Sequence, residues 1–119
     1  MKISEAAARC GLGIDTIRFY ERSGLLPPVA RGADGKRRFS PGDVDWLILM
    51  ASLRETGMPM ERMRRFAELY RRGDDSISER RRMLVDHAAT LAARRAGLDR
   101  CAALLAAKLK RYDDIEKGE

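Results

Sequence analysis

Apolar positions recur at helical spacing through the first part of the chain and then, from Ile77 on, at strict intervals of seven. The segment Ile3 to Arg9 reads as a short helix with Ala6 and Ala7 as small packing residues, and Gly11-Leu12-Gly13 ends it in a tight turn. A second helix is predicted from about Ile14 to Arg22, with Gly13 at its N-cap and Asp15 in its positive first turn. Ser23-Gly24 closes it, and Pro27-Pro28 prevents a restart. Two short helices joined by a glycine-containing turn predict a helix-turn-helix. Within the second helix Ile14 and Ile17 share a face, and at roughly 100° per residue Phe19 falls almost opposite them. That aromatic, flanked by Arg18, Tyr20 and Arg22, faces away from the helix's own core and is expected to touch something else.

Val29 to Phe39 carries Arg31, Gly32 and Asp34-Gly35, then Lys36-Arg37-Arg38. Asp-Gly is a hairpin turn signal, so a small β-hairpin with three consecutive cations at its base is expected, a wing suited to a phosphate backbone or minor groove. Ser40-Pro41-Gly42-Asp43 announces a third helix, with Ser40 as N-cap, Pro41 at N1 and Asp43 completing a capping box. Its expected buried face is Val44, Trp46, Leu47, Ile48 and Leu53, running up to Gly57. Pro59 starts a fourth helix with Met60, Met63, Phe66, Ala67 and Tyr70 at core spacing, ending at Arg71-Arg72-Gly73.

Ile77, Leu84, Leu91, Leu98, Leu105 and Tyr112 form an unbroken heptad row, accompanied by the mixed row Arg81, Ala88, Arg95, Ala102 and Leu109. The pattern predicts one helix of about 38 residues, roughly 57 Å long. No other predicted element is long enough to cover that stripe, so a second copy is expected to do so, and Leu84, Leu91, Leu98, Leu105 and Tyr112 are the dimerisation residues. The fold class expected is all-α with a small β wing: a winged helix-turn-helix over 1–72, then a dimerisation helix over 76–115.

Charge divides the chain in the same place. Residues 1–73 carry a net +5 and residues 74–119 a net +1, out of a formal +6 overall. A basic front half suggests a polyanionic partner, with nucleic acid the first candidate and an anionic membrane surface the second. Cys10 and Cys101 are the only cysteines, with no CxxC spacing, which fits a reducing cytoplasm. No apolar run approaches the ~20 residues of a membrane span. With a single histidine, no phosphate-binding glycine loop and no nucleophile posed beside a base, an enzyme is not expected, nor is a cofactor.

The stretches Ile3-Ser4-Glu5-Ala6-Ala7, Thr16-Ile17-Arg18-Phe19-Tyr20-Glu21, Gly24-Leu25-Leu26-Pro27, Gly35-Lys36-Arg37-Arg38-Phe39-Ser40, Asp43-Val44 and Leu53-Arg54-Glu55-Thr56-Gly57-Met58 resemble the MerR family of bacterial transcriptional regulators. The resemblance implies a homodimer with an antiparallel coiled coil between subunits. It also implies binding to double-stranded promoter DNA between the −35 and −10 elements, with bending and untwisting that let RNA polymerase engage both. It implies that Thr16, Arg18, Phe19 and Tyr20 seat the second helix on DNA, the aromatic pair against the backbone, and that Lys36, Arg37 and Arg38 form the wing contact. Phe19 stands where the family usually has tyrosine, and Lys36 where it usually has an aromatic.

The resemblance also frames the signal. The family's metal sensors have a cysteine near the start of the long helix, where this chain has Ser76 or Ser78, and a cysteine-rich loop after it, which this chain lacks. No metal site is expected, although two Cys101 thiolates bridging a metal across the dimer is an alternative. The length, Trp46 to Met58 and Arg72-Gly73-Asp74 resemble the short branch that responds to aldehydes, nitric oxide or other thiol-reactive stress. Ser52 stands where that branch commonly has its reactive cysteine, and a hydroxyl cannot do thiolate chemistry at neutral pH. A ligand-independent repressor or DNA-bending protein therefore stays open beside a stress-responsive regulator.

Overall fold

The computed structural model describes residues 1–118 and is mostly helical. Its helices are α1 (Ile3–Cys10), α2 (Ile14–Arg22), α3 (Pro41–Glu55), α4 (Met60–Arg72) and α5 (Ile77–Glu116), with a 3-10 turn at Asp74–Ser76 before α5. The sequence signals act where they stand. Gly11 takes φ 74, a left-handed conformation that costs glycine little, and its N–H closes α1 on the Ala7 carbonyl. Ser40 and Asp43 form the capping box reciprocally, with Asp43 N–H to Ser40 Oγ at 3.1 Å and Ser40 N–H to Asp43 Oδ2 at 2.8 Å.

Two compact units divide the chain, Met1–Met83 and Leu84–Glu119. In the first, α1 packs on α2 and α3, and α3 on α4. Ile17, Tyr20, Leu25, Leu47, Met50, Met63 and Leu69 are its largest fully buried side chains. Hydrogen bonds tie the connections to this core: Trp46 Nε1 donates to the Leu25 carbonyl at 2.7 Å, and Arg71 Nη2 to that of Gly24 at 2.7 Å. Ser76 is buried, its hydroxyl donating to the Leu69 carbonyl at 2.6 Å while accepting from Arg80 Nε at 3.0 Å, so it joins α4 to the start of α5.

Two residues expected in the core lie outside it. Ile48 is 43% exposed, because the buried stripe of α3 runs Val44, Leu47, Met50, Leu53. That i, i+3 progression winds about 60° per step in the sense opposite to the Val44-to-Ile48 offset, leaving Ile48 on the flank. Tyr70 is exposed as well, capping the core's edge with its ring 4.6 Å from that of Trp46 and beneath Arg80.

The expected β wing is also corrected: no strand occurs among the described residues. Residues 30–38 form a loop with a single antiparallel bridge, Arg31 to Arg37. Gly32 N–H reaches the Lys36 carbonyl at 2.8 Å, and Arg38 N–H that of Ala30 at 2.7 Å. Pairing stops there for two local reasons. Pro27 and Pro28 offer no N–H to extend the ladder on one side. On the other, the next N–H that faces the loop in this register is that of Ser40, already committed to Asp43 Oδ2 at 2.8 Å.

Candidate nucleic-acid interface

The second helix exposes a polar and aromatic face because its apolar residues fall on the other one. Ile17 and Tyr20, three positions apart, point into the core, while Arg18 and Phe19 lie outside. Arg18 has only a loose partner in Asp15 at 3.8 Å, and both side chains are largely open to water. Phe19 is 36% exposed, and the guanidinium of Arg54 from α3 sits 5.8 Å above its ring. The aromatic that the pattern turned outward is thus held on one side by a cation from α3, a stacking partner the sequence reading missed. Tyr20 is 1% exposed, with its ring in the core and 6.2 Å from that of Phe19, so the two aromatics do pair and Phe19 is the open member.

The 31–37 loop is shaped by its own side chains. Asp34 Oδ1 accepts from Lys36 N–H at 3.0 Å, Arg31 Nη1 donates to the Gly35 carbonyl at 2.8 Å, and Arg38 pairs with Asp34 at 3.6 Å. Gly35 takes φ 78, as the second half of the Asp-Gly turn requires. Lys36 is exposed, and among the described residues its ammonium makes no ion pair. Arg37 behaves otherwise. Its Nε donates to the two Glu21 oxygens at 2.9 and 2.6 Å, and its Nη2 closes a fork on Oε1. Hydrogen bonding from Arg37 holds the Glu21 carboxyl below its ordinary value against the opposing effect of burial, helped by the charges of Arg37 and Arg31. The same hydrogen bond raises Arg37.

These elements enclose a groove of about 400 Å³ lined by Lys2, Ile3, Ser4, Arg18, Arg31, Gly35, Lys36 and Arg37. Five cations line this one concavity, of which Arg37 is already paired with Glu21. The structure therefore brings together Arg18, Lys36 and Arg37 from the expected set. Arg38 and Phe19 do not line this groove, and Thr16 lines a different one, with Cys10, Tyr20, Ser52 and Arg54. Lys2 and Arg31 join the groove without having been singled out. For Arg31 the signal was present, since the Asp34-Gly35 turn sets it opposite Arg37. Lys2 carried none beyond its position just ahead of α1.

Elsewhere, Cys101 is exposed and Cys10 half-buried, and among the described residues no three His, Cys, Asp or Glu side chains gather as a metal-binding set. None of the described helices is long and apolar enough to cross a membrane.

Residues 1–69 match the family described as MerR HTH family regulatory protein, and residues 44–108 match MerR, DNA binding. The chain is 39% identical over 109 residues to an uncharacterized HTH-type transcriptional regulator of Haemophilus influenzae, covering 92% of this chain and 81% of that one. It is 34% identical over 86 residues to the HTH-type transcriptional regulator AdhR of Bacillus subtilis, covering 72% of this chain and 61% of AdhR. Among solved structures it is similar to HiNmlR, a MerR family regulator lacking the sensor domain, bound to promoter DNA. That likeness has a TM-score of 0.84 at 38% identity, over 95% of this chain and 90% of the other. These relatives are regulators and not enzymes. The chain belongs to the MerR family of DNA-binding transcriptional regulators.

Proposed function

We propose that the chain works as a homodimer on promoter DNA, with residues 1–72 as the DNA-binding domain and 76–115 as an antiparallel coiled-coil dimerisation helix. α2 faces the major groove, Arg18 reaches base edges or phosphates, and the 31–37 loop acts as the wing along the backbone. The dimer bends and untwists DNA between the −35 and −10 elements, so that RNA polymerase engages both. The observation that carries this reading is the groove lined by Lys2, Arg18, Arg31, Lys36 and Arg37. Clustered cations that neutralise phosphates release counterions, and this supplies affinity.

Likeness to AdhR supports placing the chain in the short, stress-responsive branch. The exposed hydroxyl of Ser52 favours a second reading, DNA bending without a thiol-reactive signal. A footprint on the DNA upstream of its own gene separates the two. Protection between −35 and −10 is expected, and central hypersensitivity that appears only after formaldehyde, methylglyoxal or a nitric-oxide donor assigns a stress sensor. An unchanging pattern assigns signal-independent bending. Arg18→Ala is expected to cost about 1–3 kcal/mol of binding to the same DNA by fluorescence anisotropy, and unchanged affinity would sink its assignment.

A further inference from the structure

Arg37 lies in the run of cations best placed for phosphate, yet its guanidinium is engaged inside the molecule. It forks on Glu21 from the far limb of the loop, sixteen positions along the chain. Glu21 occupies the last turn of α2, so the pair spans from the helix that carries Arg18 to the loop that carries Arg31 and Lys36. Among the described residues, every other hydrogen bond made by residues 31–37 stays within the 30–38 loop. Those bonds give the loop its shape but do not attach it to α2. With one bridge and no ladder, the loop also lacks the rigidity that a sheet would supply.

Resting on the DNA-binding reading above, we propose that Glu21 and Arg37 are positioning residues: their ion pair fixes the loop against α2 so that Lys36 and Arg31 flank the DNA that Arg18 approaches, and Arg37 stays on Glu21 when DNA is bound. Two physical arguments favour this over direct phosphate contact by Arg37. A forked guanidinium–carboxylate pair constrains orientation as well as distance, which a point contact does not. Moving Arg37 to a phosphate would also leave the Glu21 carboxylate facing a polyanion without its countercharge, and like charges brought together oppose binding.

The two roles predict opposite signs for one substitution. Glu21→Gln removes a negative charge beside the groove. If Arg37 were a phosphate ligand held in reserve, this change would release it and tighten binding. As a positioning pair, Glu21→Gln weakens binding to a duplex from upstream of the chain's own gene by about tenfold, and adding Arg37→Gln weakens it little further. Arg37→Lys sharpens the contrast, since lysine keeps the charge but not the fork. Its affinity is expected to fall with the slope of log K against log salt unchanged, whereas Lys36→Ala lowers that slope by about 1. The exchanged variant Glu21→Arg/Arg37→Glu is expected to recover most of the loss.

Circular dichroism and sedimentation identify any variant that fails to fold, and Arg37→Lys, the mildest change, then carries the comparison. Tighter binding by Glu21→Gln, or wild-type affinity in Arg37→Lys, overturns the proposal. Failure of the DNA-binding reading would look different: the unmodified chain would not prefer promoter DNA to random duplex, and Arg18→Ala would be silent.

Discussion

Between Met1 and Met83, apolar residues at helical spacing find partners within the chain, and Leu47, Met50 and Met63 are fully enclosed. From Leu84 onward similar residues recur with better regularity and are left open: Leu98 is 71% exposed and Leu104 72%, with Leu91, Leu105, Leu109 and Tyr112 exposed as well. The difference lies in element length more than in hydrophobicity. Helices of 8 to 15 residues can cover one another in a small bundle. A stripe along a helix of 40 residues is covered only by something equally long. The first region therefore encodes a core, and the second encodes a stripe left uncovered within the chain, which the proposed dimer would close.

The strongest way to break that comparison is Leu98→Arg. A guanidinium in the middle of the heptad row is expected to convert the proposed dimer to monomers in sedimentation, and DNA affinity should drop by about 10²-fold as two linked half-site contacts become one. Persistence of the dimer would mean that the exposed row is not the interface. Leu47→Ala tests the other region. Removing this enclosed side chain should destabilise the chain by about 2–5 kcal/mol in chemical unfolding. That loss should be the same at low and high protein concentration, whereas the unmodified chain should melt at a concentration-dependent temperature that Leu98→Arg renders constant. A concentration-dependent Leu47→Ala penalty would show that the core of the first region is completed by the partner too.

Much of this was legible because the signals are local. The Ser40/Asp43 box, the Gly11 turn and the seven-residue period each specify backbone geometry over a few residues, and α1 to α5 begin and end close to where those signals stand. What the sequence misjudged depends on neighbours remote in the chain. Ile48 and Tyr70 satisfy a helical spacing rule, but which side of a stripe is covered depends on how α1 and α4 cross α3. Tyr20 does pair with Phe19, and its three-residue offset from buried Ile17 sets its ring in the core, which the sequence pattern did not announce. The loop stops at one bridge for a nearer reason: the N–H that would extend it, that of Ser40, serves the capping box of α3 instead. In the groove, Arg18, Lys36 and Arg37 were visible as cations in a recognisable pattern. That Arg37 is turned inward followed only from the position of Glu21.

The smallest expected effect also lies in the first region. Hydrogen bonding by Arg37 holds the folded-state Glu21 carboxyl below the ordinary 4.5, so its contribution is fully present above that value and is lost as pH falls through the depressed one. A half-buried pair of this kind contributes about 1 kcal/mol, so the melting temperatures of the unmodified chain and Glu21→Gln should differ by only a few degrees. The gap should be constant from about pH 7 to about pH 5 and close on further acidification, as the unmodified carboxyl takes up its proton and comes to resemble the amide. Because both partners belong to the region that completes its own core, the gap should not vary with protein concentration. Variation would tie the loop's attachment to dimer formation and make the two regions one cooperative system.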